Sequence, residues 1–240
     1  MLPQKDLFFA MVKGSYIISI HRRGKWLFIE LDKGTLGIHL RMTGSLFVIG
    51  SSDEPVPYAR TNFDLEGDRK LVLSDPRKFA KLWFGTETTE ILSSLGPEPL
   101  NDSLEPNEDF RFDEFSKHFV NRNILVKTLL LDQRVVAGIG NIYADEILLH
   151  CGLSPFVKTT ELKEARIISI YEGIVNVLGE AIKELDILLG KGMLPTGNQE
   201  SKKHFKLPRF KGAQCQICGS KVSWIKLNGR GTYYCGSCQK

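Results

Sequence analysis

Residues 213–240 read AQCQICGSKVSWIKLNGRGTYYCGSCQK, and four cysteines in this stretch decide how the end of the chain folds. They form two CxxC pairs separated by 16 residues, at Cys215, Cys218, Cys235 and Cys238. Pairs at this spacing can place four thiolates at the corners of a tetrahedron about 2.3 Å from one zinc ion. Redox CxxC motifs come singly, and nothing in the sequence suggests a secreted, disulfide-bonded protein. The pattern therefore predicts one structural zinc ion in a small finger, with no open coordination position for chemistry.

The zinc pattern lies in the most basic part of the chain. Residues 191–240 carry ten Lys and Arg side chains and one acid, whereas the rest carries 22 basic and 27 acidic side chains. A basic block on a mildly acidic chain favours a polyanionic partner, above all nucleic acid. A solvated charged tail is the alternative, but the zinc pattern implies that the block is folded.

Length and composition exclude several other classes of protein. The 240 residues suffice for one large domain or two to three small ones, and no apolar run reaches the roughly 18 residues of a membrane helix. The first residues lack the basic, apolar and small-residue regions of a signal peptide. We therefore expect a monomeric cytoplasmic protein without membrane contact, associated with the nucleoid if it is bacterial, in which Cys151 is a buried thiol.

Hydrophobic periodicity divides the chain near the Gly96–Pro99 turn. Before it, seven short apolar or alternating segments predict an antiparallel sandwich or barrel: residues 16–20, 26–31, 35–40, 45–49, 62–65, 70–74 and 81–84. After it, the pattern predicts helices over residues 114–119, 124–131, 142–150 and 162–189, with Asp113 and Thr160 as N-caps. Residues 190–212 are predicted to be an exposed loop.

Two turns have the composition of phosphate-binding sites. Gly138, Gly140 and Asn141 lie between two predicted helices, where glycines let backbone N–H groups face an anion at a helix start. A helix–helix turn that merely permits close packing is an equally good interpretation. Arg230 lies between two glycines in the basic finger, where its planar guanidinium can approach a phosphate.

Cationic and apolar residues also occur together near predicted strand ends. Lys25 follows two arginines, Arg77 and Phe79 occupy one turn, and Met42 lies in another. Such residues suit loops that enter a nucleic-acid groove and wedge between base steps. Charged strand ends and core side chains are the alternative interpretation of each.

Taken together, these motifs resemble the formamidopyrimidine-DNA glycosylase and endonuclease VIII family of base-excision repair enzymes, and are closest to the formamidopyrimidine branch. The matching stretches are HRRGKWLFIEL, IHLRMTGSL, SDPRKFAKLWF, LGPEPL, KTLLLDQRVVAGIGNIYADEILLHCGLSP and the cysteine finger. The resemblance implies a multidomain α+β protein with double-stranded damaged DNA in a cleft. Its expected parts are an antiparallel β-sandwich (1–98), a helix–two-turn–helix domain (99–190), a lesion-recognition loop (191–212) and a zinc finger (213–240).

The resemblance also implies roles for individual residues. Lys25 matches a lysine of the active-site cleft, and Met42, Arg77 and Phe79 match the residues that fill the space left by the everted nucleotide. Lys127, Asn141 and Arg230 match residues that hold backbone phosphates. The implied activity is glycosylase with abasic-site lyase, on oxidised purines such as 8-oxoguanine and formamidopyrimidine.

Two departures from the family pattern alter what is expected of this chain. The family nucleophile is an N-terminal proline followed by glutamate, whereas this sequence starts Met1-Leu2-Pro3-Gln4 and falls beyond the family's leading helix and first strand. We therefore expect this chain to bind DNA with impaired catalysis, either as a fragment whose complete form is an ordinary glycosylase or with Lys25 as the remaining candidate amine. The alternatives are a non-catalytic damaged-DNA-binding protein and, from another class, a zinc-ribbon protein-interaction module.

The second departure is the 191–210 loop, which is rich in lysine and poor in aromatic residues.

Overall fold

The computed structural model describes residues 5–190, 205–210 and 212–240, which fall into two compact units. The first unit is Met1–Ser93 and the second is Ser94–Lys240. The predicted lesion-recognition loop lies mostly outside the described residues. The predicted domain boundaries remain predictions.

The first unit is built from two antiparallel sheets with one apolar core between them. The four-stranded sheet has the order β1-β2-β3-β7 and the three-stranded sheet the order β4-β6-β5. Core side chains come from both sheets, with Ile29 and Ile38 on one side and Phe63 and Leu71 on the other. The strands are β1 (Ile17–Arg23), β2 (Trp26–Leu31), β3 (Gly34–His39), β4 (Ser45–Gly50), β5 (Ala59–Leu65), β6 (Arg69–Ser74) and β7 (Lys81–Gly85).

Helix α1 (Lys5–Val12) precedes the first strand and was not anticipated from the sequence. Its Phe8 is buried, with its ring centroid 6.5 Å from that of Phe84 and 6.4 Å from that of Phe63. At eight residues the helix is too short for a convincing 3.6-residue period, so packing against the sandwich stabilises it rather than intrinsic propensity. A second short helix, α2 (Thr89–Leu92), follows the last strand.

The second unit begins with helices that surround one apolar core. They are α3 (Phe112–Lys117), α4 (Val126–Leu130), α5 (Asn141–His150) and α6 (Glu164–Gly190). Gly173 does not interrupt the 27-residue α6; a Cβ there would lie 2.7 Å from the Cys151 sulfur, so the glycine lets α5 and α6 approach closely. No helix within the described ranges is long and apolar enough to span a membrane.

Both predicted N-caps are wrong. Arg111 occupies the N-cap position of α3, and Asp113 lies in the first turn, where its carboxylate pairs with the Arg111 guanidinium at 2.5 Å. Thr160 belongs to a separate 3₁₀ turn, Thr159–Glu161, and α6 begins only at Glu164. At Asp113 a local ion pair replaced the capping geometry that the sequence pattern favoured, whereas the Thr160 hydroxyl donates to the distant Asn123 side chain at 3.2 Å.

The chain ends in a two-stranded hairpin, β8 (Ser223–Leu227) and β9 (Arg230–Tyr234), packed against α5. Leu149 of α5, Leu207, Val222 and two of the cysteines share one small apolar cluster. Backbone hydrogen bonds join Lys240 to Gly152 and Ser154. The finger is thus part of the helical unit, and the predicted combination of sandwich, helical domain and cysteine finger is confirmed.

Candidate nucleic-acid interface

The three predicted wedge residues lie together on two loops of the first unit. Met42 is in the loop after β3, and Arg77 and Phe79 are in the loop after β6. The Arg77 Nη1 atom lies 3.7 Å from the Met42 sulfur, and the Arg77 guanidinium lies 4.7 Å from the centre of the Phe79 ring. Met42 is 72% exposed and Phe79 47% exposed. Large apolar side chains presented to solvent beside a cation have the composition that suits insertion between stacked bases.

Lys25 is exposed in the tight turn between β1 and β2, and a cluster of cations lies near it. His39, to which no sequence motif gives a functional role, ends the adjacent strand β3. Burial lowers the pKa of His39 to about 4, assisted by the positive charges of Arg41, Lys25 and Lys81. The His39 Nδ1 atom accepts a hydrogen bond from the Arg41 backbone N–H at 3.0 Å. Because Nδ1 accepts a hydrogen bond, the neutral His39 ring carries its proton on Nε2. The Nε2–H group can therefore donate a hydrogen bond to an anion that is attracted by the surrounding positive charges.

The glycine turn before α5 places Asn141 against the finger. Gln133 holds the turn, because its side chain accepts from the Gly138 N–H at 3.0 Å and donates to the Ile139 carbonyl at 3.0 Å. Gly138 has a φ of +98°, which a residue with a Cβ rarely adopts. Asn141, the first residue of α5, donates from Nδ2 to the Gly231 carbonyl at 2.8 Å.

Arg230 is exposed at the turn of the finger hairpin, one residue before Gly231. The Asn228 amide, which begins the turn, donates to the Thr128 hydroxyl of α4 at 3.1 Å. Asn141 and Arg230 are therefore brought together at one edge of the second unit, beside an open helix start. A cavity of about 370 Å³ adjoins Arg230 and is lined by Ile124, Lys127, Thr128, Leu131, Asp132, Leu227, Asn228 and Arg230.

Lys127 is buried, although the resemblance assigned it to a phosphate. Its Nζ atom lies 2.7 Å from Asp145 Oδ1 and donates to the Thr232 hydroxyl at 2.7 Å. Burial lowers the pKa of Lys127, while the Asp145 carboxylate opposes that shift. The phosphate-binding role stays a prediction; the geometry favours a lysine that fixes the finger to α4 and α5.

Asp145 and Arg209, which no sequence motif predicted as site residues, complete this network. The Arg209 guanidinium lies 2.7 Å from Asp145 Oδ2, and the Tyr233 backbone N–H donates to the same oxygen at 3.1 Å. Asp145 is fully buried, so one carboxylate joins α5 to two cations and a finger strand. The only sequence signal was an acidic pair on an apolar helix face.

Glu146, the next residue of α5, binds the backbone of the segment 205–210. Its two carboxylate oxygens accept from the backbone N–H groups of Lys206 and Leu207 at 3.0 and 2.9 Å. Burial raises the pKa of Glu146, and these two hydrogen bonds oppose the shift. The end of the predicted lesion loop is therefore attached to the same helix as Asn141.

The four finger cysteines form a suitable metal site. Their sulfur atoms all lie within 4.8 Å of one another, with Cys215 and Cys238 at 3.9 Å and Cys218 and Cys235 at 3.5 Å. Tetrahedral zinc with Zn–S bonds of about 2.3 Å needs sulfurs about 3.8 Å apart. Four thiolates at this separation can hold one metal ion, and they leave no coordination position open for a substrate.

Known proteins resemble this chain along its whole length. Residues 2–82 match the model of the formamidopyrimidine-DNA glycosylase N-terminal domain, and residues 95–189 match that of its H2TH domain. A formamidopyrimidine-DNA glycosylase of Chloroflexus aggregans is 35% identical, over all of this chain and 86% of that protein.

Solved structures give the same result. The Lactococcus lactis enzyme Fpg bound to abasic-site DNA is 29% identical with a TM-score of 0.82, and its complex with FAPY-dG DNA is 28% identical with a TM-score of 0.83. Each comparison covers 98% of this chain and 86% of the other. The two family models and the relative of 35% identity show that the chain belongs to the formamidopyrimidine-DNA glycosylase family.

Proposed function

We propose that this protein is a base-excision repair DNA glycosylase that acts on oxidised purines, 8-oxoguanine and formamidopyrimidine, in double-stranded DNA. The observation that carries the proposal is the exposed cluster of Met42, Arg77 and Phe79 in a chain of this family. Extruding a base costs a few kcal/mol of stacking and pairing, and side chains that fill the vacated space offset that cost. The complexes of the Lactococcus lactis relatives with abasic-site and FAPY-dG DNA support the same class of substrate.

Competition binding with matched duplexes tests the proposal. We expect a duplex with one 8-oxoguanine or abasic site to bind about tenfold or more tightly than the undamaged duplex, since filling the gap recovers part of the extrusion cost. Met42→Ala combined with Phe79→Ala should remove this preference and leave undamaged binding unchanged. Val48→Ala, which trims an exposed apolar side chain of β4, is the control. Equal affinity of the wild type for damaged and undamaged duplexes would refute the function.

We further propose that the protein has abasic-site lyase activity and that Lys25 is the candidate amine. Its Nζ atom would condense with the C1′ aldehyde of an abasic site, releasing water and forming an imine. Borohydride reduces this imine to a stable covalent complex.

Borohydride trapping on abasic-site DNA measures this activity. We expect trapping that disappears in Lys25→Met and persists in the control Lys70→Met, at an exposed lysine on β6. Trapping that survives Lys25→Met would assign the reaction to another amine. Neither base release nor trapping, with the damage preference retained, would make the chain a non-catalytic damaged-DNA-binding protein.

We also propose that the finger holds one zinc ion and that the protein works as a cytoplasmic monomer. Reduced thiols in the cytoplasm keep four cysteines available to a metal. Light scattering should give the mass of one chain without DNA and the mass of one chain plus one duplex with DNA. A dimer mass at micromolar concentration would refute the monomer.

A further inference from the structure

Asp75 lies beneath the two loops that carry the wedge residues. It follows β6 directly, and its side chain is fully buried in the first unit. The carboxylate nevertheless has four hydrogen-bond donors. They are the Thr43 hydroxyl at 2.5 Å and the backbone N–H groups of Phe79 at 2.6 Å, Ala80 at 2.7 Å and Arg77 at 3.1 Å.

These bonds connect loops that are distant in sequence. The donors from Arg77, Phe79 and Ala80 fold the loop after β6 around the carboxylate. Thr43 comes from the loop after β3, 32 residues earlier, and is the immediate neighbour of Met42. One side chain therefore joins the backbone next to Met42 to the backbone of Arg77 and of Phe79.

Both loops hold strained backbone that needs such support. Arg41 has a φ of +57° and Lys78 a φ of +59°, in the left-handed region that residues other than glycine seldom adopt. At the end of the first loop the backbone of Gly44 lies close to that of Leu40. Only glycine fits there, because a Cβ would lie 2.5 Å from the Leu40 carbonyl oxygen. Conformations of this kind persist only when neighbouring contacts fix them.

The carboxylate remains ionised at physiological pH. Burial favours the neutral acid, but the hydrogen bonds from Thr43, Ala80, Arg77 and Phe79 outweigh it and lower the pKa of Asp75 to about 2. An ionised carboxylate only accepts hydrogen bonds, so all four donors must point at it. Charge-assisted bonds of this kind are stronger than neutral ones.

We propose that Asp75 is a positioning residue that, with Thr43, fixes Met42, Arg77 and Phe79 as one preformed wedge. This role rests on the proposed function, because it concerns the same insertion into damaged DNA. A wedge that is ordered before binding loses little conformational entropy on insertion, so more of its contact energy is available to offset base extrusion. Asp75 itself is buried and touches no DNA.

The test compares a damaged duplex with an undamaged one. The probe is a duplex that carries a tetrahydrofuran abasic site with 2-aminopurine as its 3′ neighbour, whose fluorescence reports unstacking when a wedge inserts. Thr43→Val removes only the hydroxyl that links the loops, Thr43→Ser restores it, and Asp75→Asn removes the charge. Asp64→Asn, at an exposed carboxylate on β5, is the matched control.

We expect Thr43→Val to reduce the preference for the abasic duplex about tenfold, the usual effect of losing one hydrogen bond to a charged group. The fluorescence change at saturation should fall in parallel, while the affinity for the undamaged duplex stays at the wild-type value. Thr43→Ser and Asp64→Asn should behave as the wild type. Asp75→Asn should have a larger effect than Thr43→Val.

Three results would overturn the positioning role. They are an unchanged preference in Thr43→Val, an equal loss of affinity for both duplexes, and a failure of Thr43→Ser to restore the signal. Thr43→Val keeps the buried charge and three of its four donors, so it decides the question even where Asp75→Asn does not fold. A wild-type protein without any preference would instead refute the proposed function, and the positioning role with it.

Discussion

At the scale of single residues, buried charges determine the geometry of both candidate surfaces. Asp75 organises the wedge loops of the first unit, and Asp145 organises the contact between finger and helices in the second. A buried carboxylate without partners is costly, so each must have several donors or cations around it. The exposed residues that are expected to touch DNA depend on buried ones that are not.

Removing the Asp145 charge should lower the free energy of unfolding much more than removing a surface charge. Asp145→Asn leaves Lys127 and Arg209 buried without their shared anion, and breaking a buried ion pair costs about 3–5 kcal/mol. Urea unfolding of the second unit measures this loss. Arg134→Met, at an exposed pair with Asp132, is the control and should leave the transition near its wild-type position. If Asp145→Asn lowers the free energy of unfolding no more than the control does, water solvates the buried site.

His39 should make stability depend on pH in a defined window. Its folded-state pKa of about 4 is lower than the 6.5 of an unfolded chain, so only the unfolded state binds a proton between these values. Stability therefore falls as pH falls from about 6.5 to 4. We expect a flatter dependence in His39→Gln, and a wild-type NMR titration midpoint near 4 for this ring. A midpoint near 6.5 would contradict the assignment.

At the scale of helices and strands, local sequence patterns predicted the positions of the strands but not the contacts between elements. The strand predicted over residues 26–31 was found at Trp26–Leu31, because a short apolar run lies between Gly24 and Asp32. Helix α1 was missed, because its stability comes from packing of Phe8 against strands far along the chain. The Asp145–Arg209 pair spans 64 residues, so no local pattern connects its two members.

Loss of the metal should disrupt the Arg230 turn but not the wedge. Cys218→Ser removes one of four thiolates, so we expect zinc content to fall from one per chain towards zero and DNA affinity to fall about tenfold or more, since structural zinc contributes directly to folding. Metal analysis and binding to an undamaged duplex measure both effects. Cys151→Ser, at the buried cysteine outside the cluster, should retain zinc. Full affinity without metal would show that the hairpin folds on packing alone.

At the scale of the whole molecule, the proposed roles assign damage recognition and DNA affinity to different units. The wedge, its Asp75 support and the His39 cluster are in the first unit, whereas Asn141, Arg230 and the finger are in the second. Phosphate contacts position a protein on a duplex without reading it, while insertion responds to a weakened base step. Variants of the two units should therefore alter different measurements.

Arg230 gives the sharpest test of this division. Arg230→Ala should weaken binding to damaged and undamaged duplexes by the same factor and reduce the slope of log affinity against log salt by about 1, because one phosphate contact is lost. Lys117→Ala, at a cation paired with Glu114 on α3, is the control and should leave the slope unchanged. A loss confined to damaged DNA would place Arg230 in lesion recognition. Since the wedge variants should change the damage preference at constant salt slope, the two sets of variants together determine whether the units act as separate sources of affinity and selectivity.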